Sequence, residues 1–183
     1  MSSFATLEDL LLEELRDLYG TEKELARILP KMAASADHPV LQRLFRDRLE
    51  DTKARAYRIE EAFQKLRGHL RRRPSRTIAG LFAEAHAAVR APGFESIRDA
   101  RLISATQRIC HHEMAANGTA RTLAQALGEY AISNFLQHSI DDAAEIDRRL
   151  TTLSAILFQE FNAARTMSPA RHPDLGPLRA SPV

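Results

Sequence analysis

Leu7-Glu-Asp-Leu-Leu-Leu-Glu-Glu-Leu-Arg-Asp-Leu-Tyr-Gly-Thr-Glu22-Lys-Glu-Leu-Ala-Arg-Ile-Leu29 decides the fold class. Leu7, Leu11, Leu15, Leu18, Leu25 and Leu29 recur at the spacing of one helical face, and charged residues take most of the other positions. Thr6-Leu-Glu-Asp9 resembles a capping box with Asp in place of Glu, so the helix is expected from about Thr6 to about Ser35. Pro30 removes one backbone donor and crowds the preceding turn, which should kink or loosen the helix locally.

The same pattern repeats along the chain. A second segment opens at Asp37-His-Pro39, with Asp as cap and Pro in the first turn, and runs to Gly68 with Leu41, Leu44, Ile59, Ala62 and Leu66 on its stripe. A shorter helix follows from about Thr77 to Arg90, stopped by Ala91-Pro-Gly93. Two more long ones span about Glu95 to Leu127, ended by Gly128, and about Ala131 to Ala164. Four helices of about 28 to 34 residues, each roughly 40 to 50 Å long, imply an all-α four-helix bundle. The short helix then sits in the crossover between long helices 2 and 3. The basic stretch His69-Leu-Arg-Arg-Arg-Pro-Ser-Arg76 reads as a solvated loop. Pro169, Pro173, Pro177 and Pro182 mark residues 166–183 as a Pro-rich flexible tail after a bundle over residues 1–165.

Composition agrees with one helical domain. The 183 residues are 44% hydrophobic and 27% charged, which excludes wholesale disorder. Only 7 Gly, no Trp and 6% aromatics are a poor supply for a β protein. The single Cys110 cannot form an internal disulfide and suits a reducing, cytoplasmic setting. The opening Met-Ser-Ser-Phe-Ala-Thr lacks a basic n-region, so neither a signal peptide nor a membrane span is expected. Lys plus Arg (26) barely exceeds Asp plus Glu (24), and a net charge of +2 gives no general argument for nucleic acid. Duplex binding through the Arg71–Arg76 cluster rests on that cluster alone.

The informative residues are charges on the apolar stripes. At about 100° per residue, Glu22 falls among the leucines of the first helix. Glu113 lines up with Leu102, Ala105, Ile109, Ala116 and Ala120. Asp147 borders the stripe of Ile132, Leu136, Ala143, Leu150 and Leu157, with Asp142 further round. On the second helix Arg48 and Arg55 share the face of Ile59 and Leu66, with Asp51 at its margin. A buried carboxylate needs a cation, a metal or a raised pKa. Two readings compete: the acids converge on a pair of metal ions, as in di-iron and di-manganese bundles, or Arg55 and Arg48 reach across and supply the positive charge.

At these residues the chain resembles the YciE/YciF family of ferritin-like bacterial stress proteins, over roughly residues 6 to 160. The resemblance is carried by Thr6-Leu-Glu-Asp-Leu, Glu14-Leu-Arg-Asp-Leu-Tyr-Gly-Thr-Glu22, Leu29-Pro-Lys-Met32, Leu49-Glu-Asp-Thr52 and Arg58-Ile-Glu60. It continues in His111-His-Glu-Met-Ala-Ala-Asn-Gly-Thr119, Leu123-Ala-Gln-Ala-Leu-Gly128, Asp141-Asp142 and Asp147-Arg-Arg-Leu150. It implies a ferritin-like bundle, often dimeric, with a dinuclear iron or manganese site. The inward ligand positions it implies are Glu22, Asp51, Arg55, Glu113, Ala143 and Asp147. Four of these keep a donor: Glu22, Asp51, Glu113 and Asp147. Arg55 cannot ligate a cation, Ala143 has no donor atom, Asp51 is shorter than the family's Glu, and Cys110 stands where relatives often carry another Glu. A degenerate centre, weak or lost, in a dimeric structural or interaction protein is therefore expected. The alternative is an oxidoreductase or metal-storage protein that binds two ions through those four acids.

Other constellations carry less. Cys110, His111, His112 and Glu113 diverge by about 100° per residue, so only Cys110 and Glu113 share a face. A helix interior gives no elbow for a Cys-His nucleophile, and His86 and His138 read as polar-face residues. No phosphate loop, zinc signature or Ser-His-Asp arrangement is present. In the tail, Asp174-Leu-Gly-Pro-Leu-Arg179 loosely resembles the loading peptides that deliver ferritin-like cargo into encapsulin shells.

Overall fold

A computed structural model describes residues 6–70, 76–92 and 95–167. Among the described residues there are five helices: α1 (Leu7–Ser35), α2 (Pro39–Lys65), α3 (Arg76–Val89), α4 (Glu95–Ala126) and α5 (Tyr130–Met167), with no strand. The hairpins α1–α2 and α4–α5 form the bundle, packed mainly through α1 against α4, while α2 and α5 touch only lightly. The crossover helix α3 lies on α4 and α1. The encapsulin-like segment and most of the basic 71–76 stretch fall outside the described residues. None of the described helices is long and apolar enough to cross a membrane.

The ends of the helices follow local chemistry. The Thr6 capping box forms: Thr6 Oγ1 accepts from the Asp9 amide at 3.0 Å, and Asp9 Oδ2 accepts from the Thr6 amide at 3.1 Å. Helix α1 runs unbroken through Pro30 to Ser35. The cap of α2 is His38 rather than Asp37, with His38 Nδ1 accepting from the Val40 amide at 3.2 Å. Asp37 is unavailable because Arg98 grips its carboxylate from α4. Helix α2 also stops at Lys65, short of Gly68; the left-handed residue that turns the chain is Arg67 (φ 50°). At Gly68 the constraint is one of space: a Cβ there would stand 2.5 Å from Leu12 Cδ2, so the Leu12 side chain would have to shift. Gly128 does end α4, at φ 74°, with the Glu129 amide donating back to Ala124 O at 2.8 Å.

Two apolar clusters fill the interior. One joins Leu25, Ile28 and Leu29 to Leu41, Phe45, Ile78, Phe82, Leu102, Ile109 and Leu150 at the α3 end. The other joins Leu11, Leu15 and Leu18 to Ile59, Phe63, Ala120, Ala124 and Leu136. Each long helix passes from one cluster to the other across buried polar residues: Thr21 and Glu22 on α1, Arg48, Thr52 and Arg55 on α2, Glu113 and Asn117 on α4, Ser139 on α5. Together these form a polar belt across the middle of the interior, between the two apolar clusters.

Candidate functional site

Helical period alone sends the belt residues inward. Arg48, Thr52, Arg55 and Ile59 follow one another by three or four positions, so a single face of α2 carries two guanidiniums between Phe45 and Ile59. Glu22 and Glu113 are each 3% exposed, Arg48 1% and Arg55 8%. Arg48 Nη2 makes a short hydrogen bond to Glu113 Oε2, and its Nη1 donates to Cys110 Sγ at 3.0 Å. Arg55 Nε donates to Glu22 Oε1 at 2.9 Å, and its Nη2 donates to Thr52 Oγ1 at 3.2 Å. Its Nη1 lies 3.7 Å from Asp142 Oδ2 at the margin of α5. Two buried atoms of the cluster have no partner, Glu22 Oε2 and Arg48 Nε.

The electrostatics follow from burial and charge count. Burial pushes the Glu22 carboxyl up, to about 7, against the pull of Arg55; Glu113 adds to the rise. Burial alone would lower both guanidiniums, but Glu113 and Cys110 around Arg48, and Glu22 and Glu113 around Arg55, leave both raised. Both arginines are therefore permanent cations. Burial also raises the Cys110 thiol to about 11, only partly opposed by Arg48, so the thiol is neutral and unsuited to nucleophilic work.

The structure brings together two of the four acids expected to face a metal. Glu22 and Glu113 meet in the belt. Asp51 does not: it is exposed, and Thr52 takes the inward position beside it. Asp147 is half-buried in the α4–α5 seam, where Gln107 Nε2 donates to its Oδ1 at 3.0 Å and exposed His111 lies 3.5 Å away. Both residues sat at the edges of their stripes, where one position of phase decides between interior and surface. His138 is exposed and His86 half-buried. Thr52, Asn117 and Ser139 went unremarked in the sequence, although Thr52 lies on the Arg48–Arg55 face at helical spacing.

This donor set does not fit a dinuclear metal centre. Among the described residues, no three His, Cys, Asp or Glu side chains are grouped to hold an ion. The two carboxylates that do meet are each engaged by a guanidinium. A divalent ion about 5 Å from one of these would be repelled by about 7 kcal/mol at an effective dielectric of about 20. The belt as built can neutralise its own charge through its two ion pairs; Glu22 Oε2 is its one buried carboxylate oxygen without a partner, and it offers no activated nucleophile.

Comparison with known proteins gives a consistent set of relatives. A family model described as a domain of unknown function (DUF892) matches residues 6–163. Protein YciF of Escherichia coli (strain K12) is 32% identical over 151 residues, covering 81% of this chain and 90% of that protein. The crystal structure of the E. coli stress protein YciF superposes with a TM-score of 0.81 at 30% identity, covering 85% of this chain and 99% of that one. YcfI from Rhodopseudomonas palustris gives 0.75 at 30% identity, with coverage of 83% and 98%. A protein from Xanthomonas campestris gives 0.68 at 18% identity, covering 88% and 99%, and speaks to the fold alone.

Proposed function

This chain belongs to the DUF892 family, and on that premise we propose that it is a ferritin-like stress-response protein of the YciF type whose metal centre is degenerate. It acts in a structural or interaction role, as a cytoplasmic homodimer, and needs no metal to hold its interior together. The observation that carries the reading is the placement of Arg48 on Glu113 and Arg55 on Glu22, which leaves the two central carboxylates already balanced. The stress role follows the E. coli relative, which is described as a stress protein. Exposed Tyr57, Tyr130 and Phe158 are available for contact with a second copy.

A di-iron or di-manganese oxidoreductase or storage protein is the competing reading, and one observation favours it: Glu22 Oε2 is buried with no partner. Metal analysis after incubation with iron or manganese separates the two. The proposal expects stoichiometry near zero; two equivalents bound, and lost on Glu113→Ala, would overturn it. Sedimentation of the same samples tests the dimer, which a monomer at all concentrations would exclude.

A further inference from the structure

The two arginines of the belt are held unequally. Arg48 is wholly enclosed and bonds only to α4, through Glu113 and Cys110. Arg55 enters from the seam between α2 and α5, with 10% of its side chain exposed. It bonds inward to Glu22, while its Nη1 lies 3.7 Å from Asp142, whose side chain is 56% exposed. On the inward side, Glu22 keeps one oxygen with neither partner nor solvent. One dry compartment thus contains carboxylates from α1 and α4 and two guanidiniums from α2, with opposing charges in equal number once Glu22 is ionised.

Resting on the metal-free reading above, we infer that Arg48 and Arg55 are surrogate cations that exclude divalent metal from Glu22 and Glu113, with Arg55 the exchangeable half. The argument is one of charge and access. The carboxylates need two positive charges to be tolerated in a dry interior, and the arginines supply them. Any added dication would raise the compartment to net positive, and the balance returns in full only when both guanidinium charges are gone. Arg48 has no outer acceptor to move to and no open side. Arg55 has both, since Asp142 offers an acceptor at the surface, and the atom that its departure would leave beside Glu22 Oε2 is Oε1, a second free oxygen on the same carboxylate. Removing the Arg55 charge therefore frees Glu22 while Glu113 stays bonded to Arg48, and removing both charges unmasks a cation site made of Glu22 and Glu113.

The test uses the full chain, Arg55→Gln, Arg48→Gln/Arg55→Gln, and Glu22→Gln/Arg55→Gln, each incubated with Mn2+, desalted, and assayed for bound metal and for thermal midpoint with and without Mn2+. The unaltered chain is expected to retain no Mn2+ and to show no shift. Arg48→Gln/Arg55→Gln should bind Mn2+ more tightly by ~100-fold or more, with a raised midpoint; Arg55→Gln should gain less, and adding Glu22→Gln to it should abolish its gains. Folded arginine variants that take up no Mn2+ overturn the inference and leave the metal-free reading standing. Mn2+ bound by the unaltered chain, and lost in Glu22→Gln/Arg55→Gln, overturns that reading and this inference together. Circular dichroism covers a variant that loses its helices: recovery on adding Mn2+ supports surrogacy, and failure to recover counts against it, because the metal should replace the missing charge.

Discussion

At the corner where α1 turns into α2, Asp99 of α4 is fully buried and uses both carboxylate oxygens. Oδ1 accepts from the Asp37 amide at 2.9 Å and Oδ2 from the His38 amide at 2.7 Å, while Arg98 holds the Asp37 carboxylate with two of its nitrogens. In the middle of the bundle, Glu22 is equally buried but uses one oxygen, and its neighbour Arg48 leaves Nε unpaired. The corner is a local cap made from backbone donors that must be satisfied anyway. The belt is a set of long side chains whose charges cancel but whose hydrogen bonds do not all close. Satisfaction separates the two: the corner contributes stability directly, whereas the belt tolerates its own burial and is costly chiefly when one member is removed.

The largest effect should come from breaking the belt. Arg48→Met leaves Glu113 without its buried cation and is expected to cost about 3–5 kcal/mol in urea unfolding at neutral pH. Adding Glu113→Leu should return most of that loss, or even stabilise the bundle, because a well-packed apolar pair replaces a costly ionic one. A single-variant loss below about 1 kcal/mol would place the belt with surface ion pairs and break the contrast. At the corner, Asp99→Ala strands two backbone amides and is expected to cost about 2–3 kcal/mol by the same measurement. Unlike the belt, no second substitution should repair it, since the orphaned donors belong to the backbone.

The two regions were not equally legible in the sequence. Glu22, Glu113, Arg48 and Arg55 stood out because an amphipathic helix has a strict period, and a charge in the middle of an apolar stripe has nowhere else to point. Asp51 and Asp147 lay at stripe edges, where a rotation smaller than one residue step decides the outcome, so their expected inward placement did not hold. Asp99 sits three residues before Leu102 on the same face, yet its partners are amides 61 and 62 positions away in a turn. Periodicity says which way a side chain faces, not which loop meets it. The same reason hid the His38 cap: Asp37 looked the better candidate until Arg98, distant in sequence, claimed its carboxylate. Helix order, the crossover helix and the Gly128 stop were all legible, because each rests on local pattern and turn chemistry.

The belt should also respond to pH. Glu22 has its carboxyl raised from the ordinary 4.5 to about 7 by burial, so between those values the folded chain binds more protons than the unfolded one. The stabilising contribution is then fully present below about pH 4.5 and is lost as pH rises through about 7. Unfolding free energies measured across that window should fall with pH in the unaltered chain, and the slope should flatten in Glu22→Gln. An unchanged slope in the variant would mean that Glu22 stays ionised throughout and that Arg55 outweighs burial.

The smallest expected effect isolates burial from capping chemistry. Thr6 and Asp99 both supply a side-chain oxygen to a backbone amide near a helix start, one at an exposed terminus and one inside the fold. Thr6→Ala removes the hydroxyl from the Asp9 amide, but water can replace it, so the cost should be about 1 kcal/mol. The amides at Asp37 and His38 are part-buried beside Asp99, so water replaces the lost oxygens less readily, and that difference, rather than the number of bonds broken, is why Asp99→Ala should cost more. Thr6→Ser, which keeps the oxygen, should fall close to the unaltered chain. If Thr6→Ala and Asp99→Ala cost the same in matched urea titrations, solvent reaches the corner and its advantage over the belt is not one of burial.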